Sequence, residues 1–270
     1  MIDFEPTVEQ QELVEGVRRF SKQRLAPAYA KREEDEAFDR PTISEMGSLG
    51  YFGVDLPEEY GGLGLDSVTA GLVTEAMCAD DMNLGYLSVN ISLVGRILAE
   101  YGRPEVVSPW LTGMIGGTTI PSIAVTEPGA GSDAGQIALT ARRDGDEYVL
   151  TGEKTSISMV TQADFSVVFG RTGSVDSGAH GISAFLVPMD LPNIATTTFK
   201  DHGNRSIGRG SLFLDGVRVP RTYLLGEENR GFTQVMQGFD YRGFLTRPAL
   251  VGEEERGRQQ RSSRSSTDID

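Results

Sequence analysis

The chain has 270 residues, a formal net charge of −14, one cysteine and two histidines. That acidity excludes a broad basic surface for nucleic acid or an anionic membrane. A single cysteine, Cys78, excludes an intrachain disulfide, a Cys-x-x-Cys redox pair and a cysteine-rich zinc site.

The two histidines, His180 and His202, read as surface-loop residues and leave a metal centre or a Ser-His-Asp triad poorly supplied. No apolar run approaches the roughly 18 residues of a membrane span. The N-terminus "MIDFEPTVEQ" is acidic and lacks the hydrophobic region of a secretory signal. The expected setting is the cytoplasm.

The first part of the chain reads as helices. Thr7 followed by Gln10 is a capping-box signature, and Leu13, Val14, Val17 and Phe20 then share one helical face. Pro27 ends that helix or starts the next turn. Pro41 suits the first turn of a helix carrying Ile43, Met46 and Leu49. "PEEYGGLGLD" reads as a loop, with Asp66 capping a helix that carries Val68, Leu72 and Met77. The cleanest helix holds Leu87, Ile91, Val94, Leu98 and Tyr101. A shorter one, "RPEVVSPWLTGMIGG", stops at its glycines.

Near Ile120 the period changes from helical to alternating. "ALTARRDGDEYVLTG" predicts a hairpin around Asp144-Gly145. "DFSVVFGRT", "GISAFLVP" and "SLFLDGVRVP" predict short strands, the last closed by Pro220. Helices followed by a strand-rich block give an α+β class, not alternating βαβ. The expected domains are a helical one over 1–120 and a β-barrel or sandwich-like one over 121–227. The start of a further helical domain follows over 228–252. The Arg/Ser-rich tail, 253–270, contains one aliphatic residue, Ile269, and is expected to be disordered.

The segment "AVTEPGAGSDAGQ", residues 124–136, concentrates glycines, hydroxyls and carboxylates. Gly129, Gly131 and Gly135 do not make a dinucleotide fingerprint, because Pro128 interrupts and a hairpin follows instead of a helix. No Walker lysine follows, and Ser132 has neither a local histidine nor a Gly-x-Ser-x-Gly frame. Taken alone, the segment is a glycine-permitted turn. Glu127 and Asp133 then have capping and turn hydrogen bonds as their expected roles.

In context, "AVTEPGAGSD" resembles the flavin-contacting loop of the acyl-CoA dehydrogenase family. "LGYFGVDLPEEYGGLGLD" resembles that family's N-terminal helical domain. "GDEYVLTGEKTSIS" resembles its second flavin segment, and "SLFLDGVRVPRTYLLGEENRGF" the strand and loop that leave its β domain. The likeness runs over about residues 1 to 240 in family order. It implies an FAD-dependent enzyme that takes an acyl-CoA thioester to its enoyl-CoA and passes electrons to an electron-transferring flavoprotein. A carboxylate takes the α-proton and the β-hydrogen leaves as hydride to the flavin.

Carried over by position, the resemblance assigns cofactor contacts to Ile123, Ala124, Val125, Thr126, Ser132, Ser156, Ile157 and Ser158. It assigns substrate contacts to Ser132 and Asp240. Most members carry tryptophan at the position of Ser156 and threonine at that of Ser158. Ser158 keeps the hydroxyl donor, whereas Ser156 gives up a stacking surface. "GEKTSIS" and "QVMQGFDY" resemble members that oxidise cyclic acyl-CoAs such as cyclohexanecarbonyl-CoA.

Family members run to about 380 residues, and their last third is a helical bundle that supplies the catalytic glutamate and the homotetramer interface. Here the likeness ends near Tyr241, so the chain is expected to be truncated, by a frameshift or otherwise, and to lack its base. Arg242 or Gly243 stands where an alternative base would be, and Glu253, Glu254 and Glu255 read as solvated charges. The alternatives are an acyl-CoA oxidase or flavin monooxygenase on the same scaffold, and an inactive relic or binding fragment.

Overall fold

The computed structural model describes residues 5–232. Asp240, Arg242, Gly243, Glu253–Glu255 and the "QVMQGFDY" segment lie outside them.

Six α-helices precede the first strand: α1 (Val8–Phe20), α2 (Tyr29–Asp35), α3 (Arg40–Ser48), α4 (Ser67–Cys78), α5 (Met82–Tyr101) and α6 (Pro104–Ile115). The α1 cap is the reciprocal box read from the sequence. The Gln10 amide donates to the Thr7 hydroxyl, and the Gln10 side chain accepts from the Thr7 amide. Pro27 does not stop the chain from coiling. A π-turn at Ser21–Leu25 and a 3₁₀ turn at Ala26–Ala28, with Pro27 near its start, lead directly into α2.

Two apolar residues expected on buried helix faces are exposed, Leu49 just past α3 and Val68 in the first turn of α4. A proline or an aspartate cap fixes where a helix begins, but not which side of its first or last turn meets the core.

Helix α5 is the axis of the helical half and is buried almost all round. Its N-terminus is capped by Asp81, which accepts from the amides of Asn83 and Leu84 and pairs with the buried Arg32 guanidinium. Two glycines let neighbours approach closely. A Cβ on Gly85 would lie 2.2 Å from the Cys78 sulfur, and one on Gly95 would lie 2.6 Å from Leu56.

Eight strands follow: β1 (Pro121–Ala124), β2 (Thr140–Asp144), β3 (Glu147–Ile157), β4 (Phe165–Arg171), β5 (Ile182–Pro188), β6 (Ile194–Thr198), β7 (Gly210–Pro220) and β8 (Leu224–Leu225). They form one sheet in the order β6-β7-β3-β2-β4-β5-β8, with β1 paired in parallel to β4. β4 and β5 are buried along their whole length, which accounts for their unbroken apolar sequences.

The β2–β3 hairpin expected around Asp144-Gly145 forms, with its turn one residue further along the chain. Asp144 pairs with Glu147, so the two turn residues are Gly145 and Asp146, with Gly145 at φ +64°. Glycine at the first turn position of a two-residue hairpin is what a type II′ turn requires.

The two halves share one apolar core and a polar seam. Trp110 of α6 packs on Phe165 of β4 with ring centroids 4.9 Å apart. Arg40 reaches Asp164, and Asn90 of α5 donates to the carbonyl of Pro121. Gln162 accepts the Phe38 amide and donates to the Ser206 carbonyl. No helix among the described residues is long and apolar enough to cross a membrane.

Candidate functional site

The sheet opens where β1 ends. Ala124 is fully buried and still paired with Val168, and the chain then leaves the sheet. The Glu127 and Ala130 backbones bond to each other around Pro128-Gly129, so the segment begins as a tight turn. A Cβ on Gly129 or Gly131 would meet nothing within 4 Å. These glycines therefore do not serve contact with another part of the described chain.

A second loop comes from β3. Its buried side chains are Tyr148, Leu150 and Lys154, all of one parity, and then Ile157, of the other. The pairing with β7 slips between Lys154 and Ile157, which places two residues, Thr155 and Ser156, opposite one, Ser211. This is a β-bulge. Ser156 takes a left-handed conformation there, φ +58°, which costs a non-glycine residue on the order of 1 kcal/mol.

The two loops are bonded to each other. The Thr155 amide donates to the Thr126 carbonyl at 2.8 Å. The Lys154 ammonium, wholly buried, donates to the Val125 carbonyl at 2.9 Å and to Glu127 at 2.8 Å. Glu127 accepts the amides of Ala138 and Leu139 as well, at 2.7 and 2.9 Å. Glu127 therefore does more than the turn hydrogen bonding expected of it: it is one half of a buried ion pair. Burial pushes the Lys154 ammonium down to about 8, against the opposing pull of Glu127.

Together the loops and α5 enclose a narrow recess of about 70 Å³, lined by Tyr86, Asn90, Ile123, Val125, Thr126, Ser156, Ile157 and Ser158. It adjoins a wider cavity of about 480 Å³, and the two share Tyr86, Ser156 and Ser158. The far wall of the cavity is the 201–209 segment. There Arg209 forms two hydrogen bonds with Asp201 and lies over the Phe199 ring. Arg209 holds the Asp201 carboxyl below its ordinary range.

Six of the eight expected cofactor residues therefore line one recess. Ala124 is buried behind it and Ser132 is exposed outside its lining. The hydroxyls of Thr126, Ser156 and Ser158 make no hydrogen bond to another described residue. No group of three or more His, Cys, Asp or Glu among the described residues is arranged to hold a metal. His180 and His202 are both exposed, His202 in a loop as expected and His180 in a 3₁₀ turn, Val175–Gly181.

The helical half and the strand-rich half match two models of one family: acyl-CoA dehydrogenase, N-terminal domain, over residues 7–118, and acyl-CoA dehydrogenase, middle domain, over residues 122–217. The chain belongs to the acyl-CoA dehydrogenase family. It is 36% identical over 242 residues to the probable acyl-CoA dehydrogenase YngJ of Bacillus subtilis (strain 168), covering 88% of this chain and 63% of that protein. It is 35% identical over 232 residues to the mitochondrial short-chain specific acyl-CoA dehydrogenase of Homo sapiens, covering 85% of this chain and 56% of that one.

Its fold superposes with a TM-score of 0.89 on the glutaryl-coenzyme A dehydrogenase glutaryl-CoA complex, at 29% identity, covering 93% of this chain and 65% of the other. The chain thus spans less than two thirds of the length of each of these relatives.

Sequence reasoning missed the far side of the cleft. Tyr86 and Asn90, four apart on α5, were hidden within a helix read only as core. Asn90, a polar side chain in an apolar run, was the available signal. Nothing in the sequence marked Asp201, Asn204 or Arg209.

Proposed function

We propose that this chain forms the first two domains, 1–120 and 121–227, of an FAD-dependent acyl-CoA dehydrogenase, which converts an acyl-CoA thioester to the enoyl-CoA. One observation carries the reading: the Thr126 and Ser158 loops, bonded through Thr155, bring to the lining of one recess residues whose hydroxyls make no hydrogen bond to another described side chain or backbone.

The residues fit a flavin ring system. Such a ring needs donors along one edge and apolar surface against its plane. Thr126, Ser156 and Ser158 offer hydroxyls, and Ile123, Val125 and Ile157 offer aliphatic surface. The wider cavity falls within the roughly 300–1,000 Å³ of small-molecule sites. Bound there, FAD supplies the acceptor for the hydride that leaves the substrate β-carbon.

The chain's own residues bind and orient. Hydroxyls and amides of the two loops would hold the ring by donating to the edge that gains electron density. The aliphatic residues keep water from the ring. Tyr86 and Asn90 of α5 line the same recess and would bound the ring there. Asp201, the carboxylate on the cavity wall, is held by Arg209 and is a poor base, so we assign α-proton abstraction to a residue outside 5–232. An electron-transferring flavoprotein as acceptor and a cytoplasmic setting belong to the same proposal.

Titration of the purified chain with FAD tests it. Saturable quenching of flavin fluorescence is expected, weakened about tenfold in Thr126→Val/Ser158→Ala through the loss of two hydrogen bonds. Absence of saturable binding by the unmodified chain overturns the reading.

A further inference from the structure

We infer that the buried pair Lys154–Glu127 is a positioning device for the cofactor edge: it sets the spacing of the two loops that carry Thr126 and Ser158. The inference rests on the flavin reading above and assigns a task to two residues that do not line the recess.

Lys154 and Thr155 are consecutive on β3, and they bond to consecutive carbonyls, Val125 and Thr126, on the chain leaving β1. Lys154 uses its ammonium and Thr155 its amide. This two-rung connection lies where β3 is slipping out of register with β7, so the sheet itself does not fix the height of Ser156. Glu127 extends the connection. One carboxylate oxygen takes the Ala138 amide, and the other takes both the Leu139 amide and the Lys154 ammonium. The start and the end of the 127–139 excursion are therefore tied to one point, and that point is tied to β3.

Stability alone does not account for this arrangement. Removing a lysine and a glutamate from water costs about as much as their attraction returns, and apolar side chains of similar size commonly serve a core as well or better. Apolar packing is non-directional, however. Four hydrogen bonds from one ion pair fix distance and angle together. A ring held by hydroxyls along one edge needs those hydroxyls placed to a fraction of an ångström, and such placement comes from the groups behind them. The Val125 carbonyl also depends on Lys154, since a buried carbonyl without a donor is costly.

The test uses the full 270-residue chain and the variants Lys154→Met, Glu127→Gln and the double variant. Far-ultraviolet circular dichroism and thermal melting identify the folded variants. FAD affinity is then measured by fluorescence quenching, together with the visible absorbance envelope of the bound flavin. Backbone amide exchange is followed at Thr155, Ala138 and Leu139 in the flavin-free chain.

The expected result is a folded variant that binds FAD about tenfold or more weakly. Its flavin envelope is altered, exchange is faster at those three amides, and exchange in α5 is unchanged. The double variant is expected to be no worse than the poorer single one, because the pair acts as a unit. A folded variant that binds FAD within about twofold of the parent, with the same envelope, overturns the inference and leaves the flavin reading standing.

If the parent chain binds no FAD, the proposed function falls, and amide exchange decides the positioning role. Acceleration confined to the two loops supports it; unchanged exchange overturns it. Where Lys154→Met does not fold, Glu127→Gln is read by the same criteria.

Discussion

The carboxylate of Glu33 accepts the backbone amide of Ser206 at 3.1 Å, which joins α2 to the turn that walls the cavity. The same carboxylate accepts from the Arg205 amide, the Ser206 hydroxyl and the Asn83 side chain. Asn204, at φ +56°, and Gly208, at φ +67°, bracket that turn in left-handed conformations. A helix of the first half therefore holds a wall of the cleft built mainly from the second.

Glu33→Ala is expected to destabilise the chain by about 2 kcal/mol, since it strips the acceptor from several donors. Burial raises the Glu33 pKa, but the bonds from Ser206, Arg205 and Asn83 outweigh it, and the net shift is downward from 4.5. A carboxylate with a depressed folded pKa contributes its stability above the unfolded value and loses it as pH falls through the folded one. Urea unfolding should show the full difference between parent and Glu33→Ala near neutral pH. That difference should shrink steadily as the pH is taken below 4.5.

Lys154 predicts the opposite end of the pH scale. Its folded pKa, about 8, lies below the ordinary 10.5, with burial as the main cause. Between those values the unfolded chain binds the proton and the folded chain does not, so this residue adds stability as pH rises. Chemical denaturation at pH 7.5 and pH 10 should show the parent gaining on Lys154→Met at the higher pH.

Ser156 lines both the recess and the cavity. Ser156→Trp is expected to narrow the passage between them, so that iodide quenches bound FAD less effectively than in the parent. Ser156→Gly should leave quenching unchanged and relieve the left-handed strain, about 1 kcal/mol before the entropy of the unfolded glycine is offset. Stern–Volmer slopes and melting curves read both effects.

Joined to the C-terminal helical region of a family member, the chain is expected to oxidise cyclohexanecarbonyl-CoA faster than butyryl- or octanoyl-CoA. The ranking follows from the resemblance carried by "GEKTSIS". Dye-coupled kcat/KM values for the three thioesters check it, and a preference for either straight chain refutes it.

Helix starts were legible because caps are local chemistry: Thr7, Asp66 and Pro41 each mark one. The paired strands β4 and β5 were legible because burial on both faces leaves a continuous apolar run. β6 was not, since "IATTT" lies at the sheet edge with most side chains exposed and carries no alternation to read. The loops of the recess could be named from their resemblance, but the α5 wall could not. Its residues face the sheet for tertiary reasons that helical periodicity does not encode. Lys154 was legible in principle, because it shares strand parity with Tyr148 and Leu150, and a lysine on a buried face calls for a counter-ion.

The cleft draws on Met82 near one end and Arg209 near the other, and its floor depends on β1 pairing in parallel with a strand about forty residues downstream. On the ribosome, nothing resembling the finished pocket exists until β7 has begun to emerge. Nascent helices must wait with their sheet-facing side uncovered, a period in which chaperone binding competes with docking.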